Sequence, residues 1–228
     1  MKIVWETIDL DKLPLLEEAI VLYDQIFSLD VKEPNLLFLR SLELAKHSFP
    51  NTYRFLAGYD EGKQLVSFAT GHYLADVNAA FIVYLAAHPE VRNKGLGSKT
   101  LLKLETLLNE DANKAGNKSL SSVILETEKR ELAHTEEEKE NCVKRQRFYE
   151  RNGYKPFGEI SYLQPPLHPS GQALPMTLYV KCFDASHPAK ENVQKIIRAM
   201  YREKYEFVNG IDRWVLEDGL KRMGMEGI

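Results

Sequence analysis

A nearly continuous apolar run, Ala79-Ala80-Phe81-Ile82-Val83-Tyr84-Leu85-Ala86-Ala87, stops at His88-Pro89. Gly95 and Gly97 then open a stretch with leucines at 101, 104 and 108. A strand without polar alternation is covered on both faces, as the central strands of α/β sheets are. The leucine spacing is helical, and Ala115-Gly116-Asn117 is a helix-ending sequence. A second apolar run, Leu120 to Leu125, follows at once. Strand, crossover helix and strand in this order require two parallel neighbours joined by a right-handed connection. The expectation is an α/β chain built on a mixed sheet.

The flanks fit that frame. Lys2 to Ile8 reads as a strand. Asp11 to Ser28 reads as a helix, with Pro14 in its first turn and a stripe through Leu16, Ala19, Tyr23 and Phe27. Pro34 to His47 is a second helix. Tyr53 to Tyr59 and Gln64 to Tyr73 flank the hairpin signal Asp60-Glu61-Gly62-Lys63. Beyond the second buried strand, Glu126 to Glu140 reads as a charged, exposed helix that continues from Asn141 to Arg151 and ends at Asn152-Gly153. Lys155 to Leu163 and Met176 to Phe183 read as late strands joined by a proline-rich loop. In the tail, Val193, Ile196, Ile197, Met200 and Tyr201 form one amphipathic face, and Ile211 to Met223 reads as a last helix.

Composition excludes several functions. With 44% hydrophobic and 28% charged residues, the chain of 228 can build a sizeable core. A net charge of -3 lacks the basic excess that phosphate backbones demand, so no nucleic-acid partner is expected. No uncharged apolar run approaches the roughly 20 residues of a membrane span, and Met1 to Glu6 has no signal core. A cytoplasmic protein follows as the expectation. Cys142 and Cys182 cannot form a disulfide framework. The six histidines make no ligand spacing with other donors, so no metal is expected.

The stretch Arg92-Asn93-Lys94-Gly95-Leu96-Gly97-Ser98 is an anion cradle by its chemistry. Glycines let backbone N–H groups approach a phosphate, and a helix start adds unpaired donors and partial positive charge. A Walker loop would need Lys directly after the second glycine, where Ser98 stands. A dinucleotide fingerprint would need Gly or Ala at position 100, which is Thr. A glycine turn selected for geometry alone is the plain alternative.

Arg92 to Gly97 resembles the pyrophosphate motif Arg/Gln-x-x-Gly-x-Gly/Ala of the GNAT superfamily of acetyltransferases. The late helix Arg147-Phe148-Tyr149-Glu150-Arg151-Asn152-Gly153-Tyr154 resembles that family's Tyr-x-x-x-Gly-Phe/Tyr. The resemblance spans residues 50 to 183. It implies a GNAT-type fold: a central mixed seven-strand sheet, a splayed parallel strand pair, and helices on both faces. Residues 1–185 would form the acetyltransferase domain, and 186–228 a helical extension packed on it.

The same resemblance implies acetyl-CoA as donor substrate. Backbone groups of Leu85, Ala86 and Ala87 would hold the pantetheine arm, and Arg92, Asn93, Lys94, Gly95, Leu96, Gly97 and Ser98 the pyrophosphate. Tyr149 would be the acid near the thioester sulfur. Glu126, closing a buried strand, would be the base, with Glu128 as rival. Relatives often carry a glutamate where this chain has Tyr84, which throws more weight on Glu126. They also carry an asparagine where Cys142 stands, so Asn141 is the substitute contact. A base is needed because a lysine-like amine is only about 0.04% neutral at pH 7. The expected acceptor is a small-molecule amine, or a peptide, and the tail has the makings of a homodimer seam. The acidic block Glu136 to Glu138 is either a solvated face or a lip for a cationic acceptor. A catalytically silent acyl-CoA-binding module is the alternative reading.

Overall fold

Residues up to Ala75 and Ile82–Leu120 form one compact unit; Asp76–Phe81 and the chain from Ser121 onward form a second. The computed structural model describes residues 2–227 except 92–93, 169–170 and 184–187.

The first unit carries β1 (Val4–Ile8), β2 (Thr52–Tyr59), β3 (Leu65–Leu74) and most of β4 (Ala79–Ala87), in that order. β1 pairs antiparallel with β2 from Val4↔Tyr59 to Ile8↔Phe55, and β2 pairs antiparallel with β3, with a bulge at Gly58/Tyr59. A Cβ on Gly58 would sit 2.6 Å from the Trp5 ring, so only glycine lets the indole cross the strand here. The helices are α1 (Leu13–Ile26), α2 (Leu36–Ala45) and α3 (Leu96–Lys114). The leucine stripe of α3 is buried as its spacing predicts. Asp111, near its end, is buried and accepts from Arg54 Nε at 2.7 Å and Thr52 Oγ1 at 2.8 Å, tying α3 to β2.

The core beside α1 is aromatic. Tyr23 meets Phe38 and Tyr84 edge-on, each at 4.9 Å between centroids. Polar tips inside such a core need partners, and a relay supplies them. Glu33 N–H donates to the Tyr23 hydroxyl at 2.7 Å, Tyr23 to the Tyr84 hydroxyl at 3.1 Å, and Tyr84 to the Val31 carbonyl at 3.1 Å. Burial pushes the Tyr84 phenol far up, so it stays protonated. Tyr84→Phe breaks this chain and leaves the half-buried Val31 carbonyl short of a donor. The expected loss is about 1–3 kcal/mol, read as a lower urea midpoint at constant m.

In the second unit the first three residues of β4 lie beside β5 (Ser122–Glu128). The amide and hydroxyl of Ser121 both donate to the Asn78 carbonyl. β4 and β5 therefore start level and run parallel, the pair expected from the crossover. β8 (Leu174–Cys182) pairs antiparallel with β5 from Ser122↔Cys182 to Glu128↔Met176. β6 (Lys155–Phe157) and the two-residue β7 (Leu163–Gln164) also pair with β8. Helices α4 (Glu136–Arg151), α5 (Lys190–Met200) and α6 (Arg213–Arg222) complete the unit, with a π-helical segment, Tyr201–Val208, between the last two.

Two expectations change. Glu126 to His134 is not helical: β5 runs on to Glu128 because β8 pairs with it that far, and a 3₁₀ turn, Arg130–Leu132, follows. α4 starts at a capping box, in which Thr135 Oγ1 accepts the Glu138 N–H and Glu138 accepts the Thr135 N–H. The strand read over Lys155 to Leu163 is two strands separated by residues 158–162. The tail shares a unit with β5 through β8.

Candidate active site

The cradle belongs to the first unit. β4 ends at His88, whose N–H donates to the Val66 carbonyl at 2.8 Å. Pro89–Val91 makes one 3₁₀ turn, and Gly95 takes the N-cap position of α3 with φ +72. No heavy atom lies within 4 Å of where a Gly95 Cβ would be. That backbone favours glycine, and a side chain would narrow the approach. Among the described residues no side chain caps α3, and its first turn has no acid, so its opening N–H groups suit an anion. Thr100 is buried, donating to the Leu96 carbonyl at 2.9 Å and lying 3.0 Å from Ser67 Oγ, which seats the helix on β3. Leu96 is buried beneath the turn, Gly97 and Ser98 are half-buried, and Lys94 and Lys99 are exposed. Uncapped donors, glycine clearance and two cations fit a diphosphate. Arg92 and Asn93 lie outside the described residues. On β4, Tyr84 and Ala86 join the aromatic core, while Leu85 and Ala87 are half-buried.

Glu126 and Tyr149 belong to the second unit. Glu126 sits within β5, not at its end. Its Oε1 accepts from the Tyr205 hydroxyl at 2.6 Å and from Gln164 Nε2. Its Oε2 is buried and makes no well-formed hydrogen bond, nor do the Tyr162 hydroxyl and Gln164 Oε1, although Tyr162 stands close enough to act on the carboxylate. Burial raises the Glu126 carboxyl above the ordinary glutamate range. The Tyr162, Tyr205 and Gln164 side chains and the Lys204 charge oppose that rise without cancelling it.

Tyr149 is the buried residue of α4, and its ring lies 5.6 Å from Tyr179 and 5.8 Å from Tyr154. Burial pushes its phenol up to about 12, against the pull of the Arg145 charge. Tyr179 is the register partner of Leu125, next to Glu126, so the strand alternation turns Glu126 to the opposite face. Base candidate and acid candidate thus stand on opposite faces of the β5–β8 ribbon.

Glu128, the rival base, is held in an ion pair with Arg145 at 2.6 Å. Asn141 is exposed. Cys142 stands seven residues before Tyr149, close to two helical turns, and so shares its side of α4. Of the acidic block, Glu138 closes the capping box and Glu136 pairs with Lys139 at 2.7 Å, so two of the three carboxylates serve the helix start. Tyr162, Gln164 and Tyr205 were not legible as site residues. One signal was available for the last: Tyr201, Lys204 and Tyr205 extend the tail's apolar stripe with polar tips that end up buried.

Among the described residues no group of three or more His, Cys, Asp or Glu side chains is placed to hold a metal, and no helix is long and apolar enough to cross a membrane. No curated protein matches the sequence. Solved structures do resemble it. A GNAT-family protein of Bacteroides thetaiotaomicron is 20% identical, aligning over 92% of this chain and 99% of its own, with a TM-score of 0.64. The spermidine N-acetyltransferase of Vibrio cholerae, solved with CoA and spermine, is 14% identical over 80% and 96%, with a TM-score of 0.54. The ribosomal-protein-S18-alanine N-acetyltransferase of Escherichia coli is 14% identical over 83% and 97%, with a TM-score of 0.52. At such identities these likenesses establish the fold. Residues 51–156, which include the cradle, both parallel strands and Tyr149, match the model of the acetyltransferase (GNAT) domain, and over that span the chain carries a domain of that family.

Proposed function

We propose that the protein moves an acetyl group from acetyl-CoA to a primary amine by direct attack in a ternary complex. The observation that carries this reading is Glu126: a strand carboxylate held through one oxygen, with the other buried and making no well-formed hydrogen bond.

The cradle from Arg92 to Ser98 holds the pyrophosphate, and the backbone of Leu85 to Ala87 holds the pantetheine, with Asn141 beside it. Bound acetyl-CoA supplies an activated acyl group. Glu126, directly or through water, takes the proton that the ammonium must lose before its lone pair can attack. Each unit by which burial raises the carboxyl narrows the gap to an amine near 10.4 by about 1.36 kcal/mol. Raising the carboxyl therefore serves the transfer, provided it stays ionised at the working pH.

Tyr149 faces a different constraint. A phenol near 12 giving its proton outright to a thiolate near 8.5 runs uphill by about 3.5 units, or about 5 kcal/mol. Tyr149 therefore stabilises the departing sulfur as a hydrogen-bond donor, and the final proton on the thiol comes from water. A hydrogen bond to a charged group contributes about 1.5–3 kcal/mol. Tyr149→Phe is expected to lower kcat by about 10- to 100-fold at every pH, with the acid limb of the rate profile in place. A shift of that limb would move the base role to Tyr149.

A panel of amines assayed for CoA release with a thiol-reactive dye tests the function itself. Polyamines and peptide N-termini belong in the panel, because structural relatives are a spermidine and a ribosomal-protein alanine acetyltransferase. Tight acetyl-CoA binding with no turnover on any amine would favour the silent binding module.

A further inference from the structure

The segment after residue 186 falls outside the part of the chain that matches the family domain. Its side chains nevertheless gather at Glu126. Tyr205 donates to Glu126 Oε1 at 2.6 Å. The second donor to that oxygen, Gln164, stands on β7 next to Leu163, and the tail grips Leu163 at both backbone groups. The Tyr201 hydroxyl donates to the Leu163 carbonyl, and the Leu163 N–H donates to Met223 Sδ at 3.2 Å. Gly219 leaves room for this grip, since a Cβ there would come within 3.3 Å of the Tyr201 hydroxyl.

The backbone of the tail is adapted to the task. Lys190–Met200 is an ordinary amphipathic helix, and the chain then widens into a π-helical segment marked by the i→i+5 bond from Asn209 N–H to the Lys204 carbonyl, 2.9 Å. Such segments are rare and concentrate at functional sites. Here Tyr201, Lys204 and Tyr205 are all buried on the inner side.

We infer that Tyr205 is a positioning residue for Glu126, and that the C-terminal segment is a working part of the active site, holding the carboxylate by one oxygen directly and through β7. The inference rests on Glu126 being the base. The titratable groups bearing on Glu126 are Tyr162 ahead of β7 and Tyr201, Lys204 and Tyr205 of the π-helical segment.

A donor to the ionised carboxylate holds its titration midpoint down, so losing one charge-assisted bond raises it by about one to two pH units. The experiment is a ¹³C titration of the full-length protein with labelled glutamate carboxyls, the Glu126 resonance being assigned by its loss in Glu126→Gln. The wild-type midpoint should lie above the ordinary glutamate range, and in Tyr205→Phe it should rise by about one unit or more. Acetyl-CoA affinity should be unchanged. If Tyr205→Phe does not fold, 3-fluorotyrosine at position 205, a stronger donor, should move the midpoint down. An unmoved midpoint in a folded variant overturns the inference, because a purely structural Tyr205 would lower the melting temperature without moving it. The base role fails separately, if Glu126→Gln keeps both its rate and the acid limb of its pH profile.

Discussion

Glu126→Gln is expected to lower kcat/KM for the amine by about 10²- to 10⁴-fold, with acetyl-CoA binding by calorimetry unchanged. The amide keeps an oxygen for Tyr205 and has the same shape, so the carboxylate's proton affinity is the property removed. In the wild type the rate should fall as pH drops through the raised Glu126 midpoint, because the protonated acid cannot accept a proton.

Stability should move the other way, and the sign follows from linkage. A carboxyl whose folded midpoint is raised binds its proton more tightly when folded than when unfolded. The folded state then gains from protonation at low pH and loses that gain as pH rises through the raised midpoint. Above it the wild type carries a buried charge that Glu126→Gln lacks. Melting curves should therefore show the variant gaining on the wild type as pH rises from the ordinary glutamate range through the raised midpoint. A variant that is inactive and also less stable across this range would mean that Glu126 is structural.

Gly97→Asp should separate binding from folding in the same way. Position 97 lies in the first turn of α3, where a carboxylate is stabilising by about 0.3–1 kcal/mol because it faces the positive helix end. The same charge lies where a diphosphate would sit, and like charges in one site repel. The expected result is at least a 100-fold loss of acetyl-CoA affinity with an equal or higher melting temperature. Retained affinity would show that the diphosphate is bound elsewhere. A collapsed melting temperature would show only that the residue cannot be accommodated.

Where sequence reading succeeded, the signal was local. Ala79–Ala87 was legible to its end residues because an unbroken apolar run has nowhere to go but the middle of a sheet, and His88-Pro89 cannot extend it. The cradle was legible because a helix start that binds anions needs glycine within a few positions. Failures came where a local pattern competed with a distant partner. Glu126 and Glu128 looked like the head of a charged helix, yet β8, about 50 residues later, pairs with both. Thr135-Glu136-Glu137-Glu138 spelled out a capping box that the surrounding charges hid. The residues that hold Glu126 stand 38 and 79 positions away, and no spacing rule links them. The π-helical segment has no composition of its own to read.

Tyr84 also decides what else β4 can carry at that position. The family resemblance makes a glutamate the expectation at this position, and the surroundings of Tyr84 close it to one. A carboxylate there would be sealed among Tyr23, Phe27 and Phe38, near the buried Glu33, and it could not donate to the Val31 carbonyl. Placing a glutamate there would thus cost stability before it added any chemistry. Tyr84 works as a lock: while its hydroxyl serves the relay, this position on β4 is closed to a carboxylate.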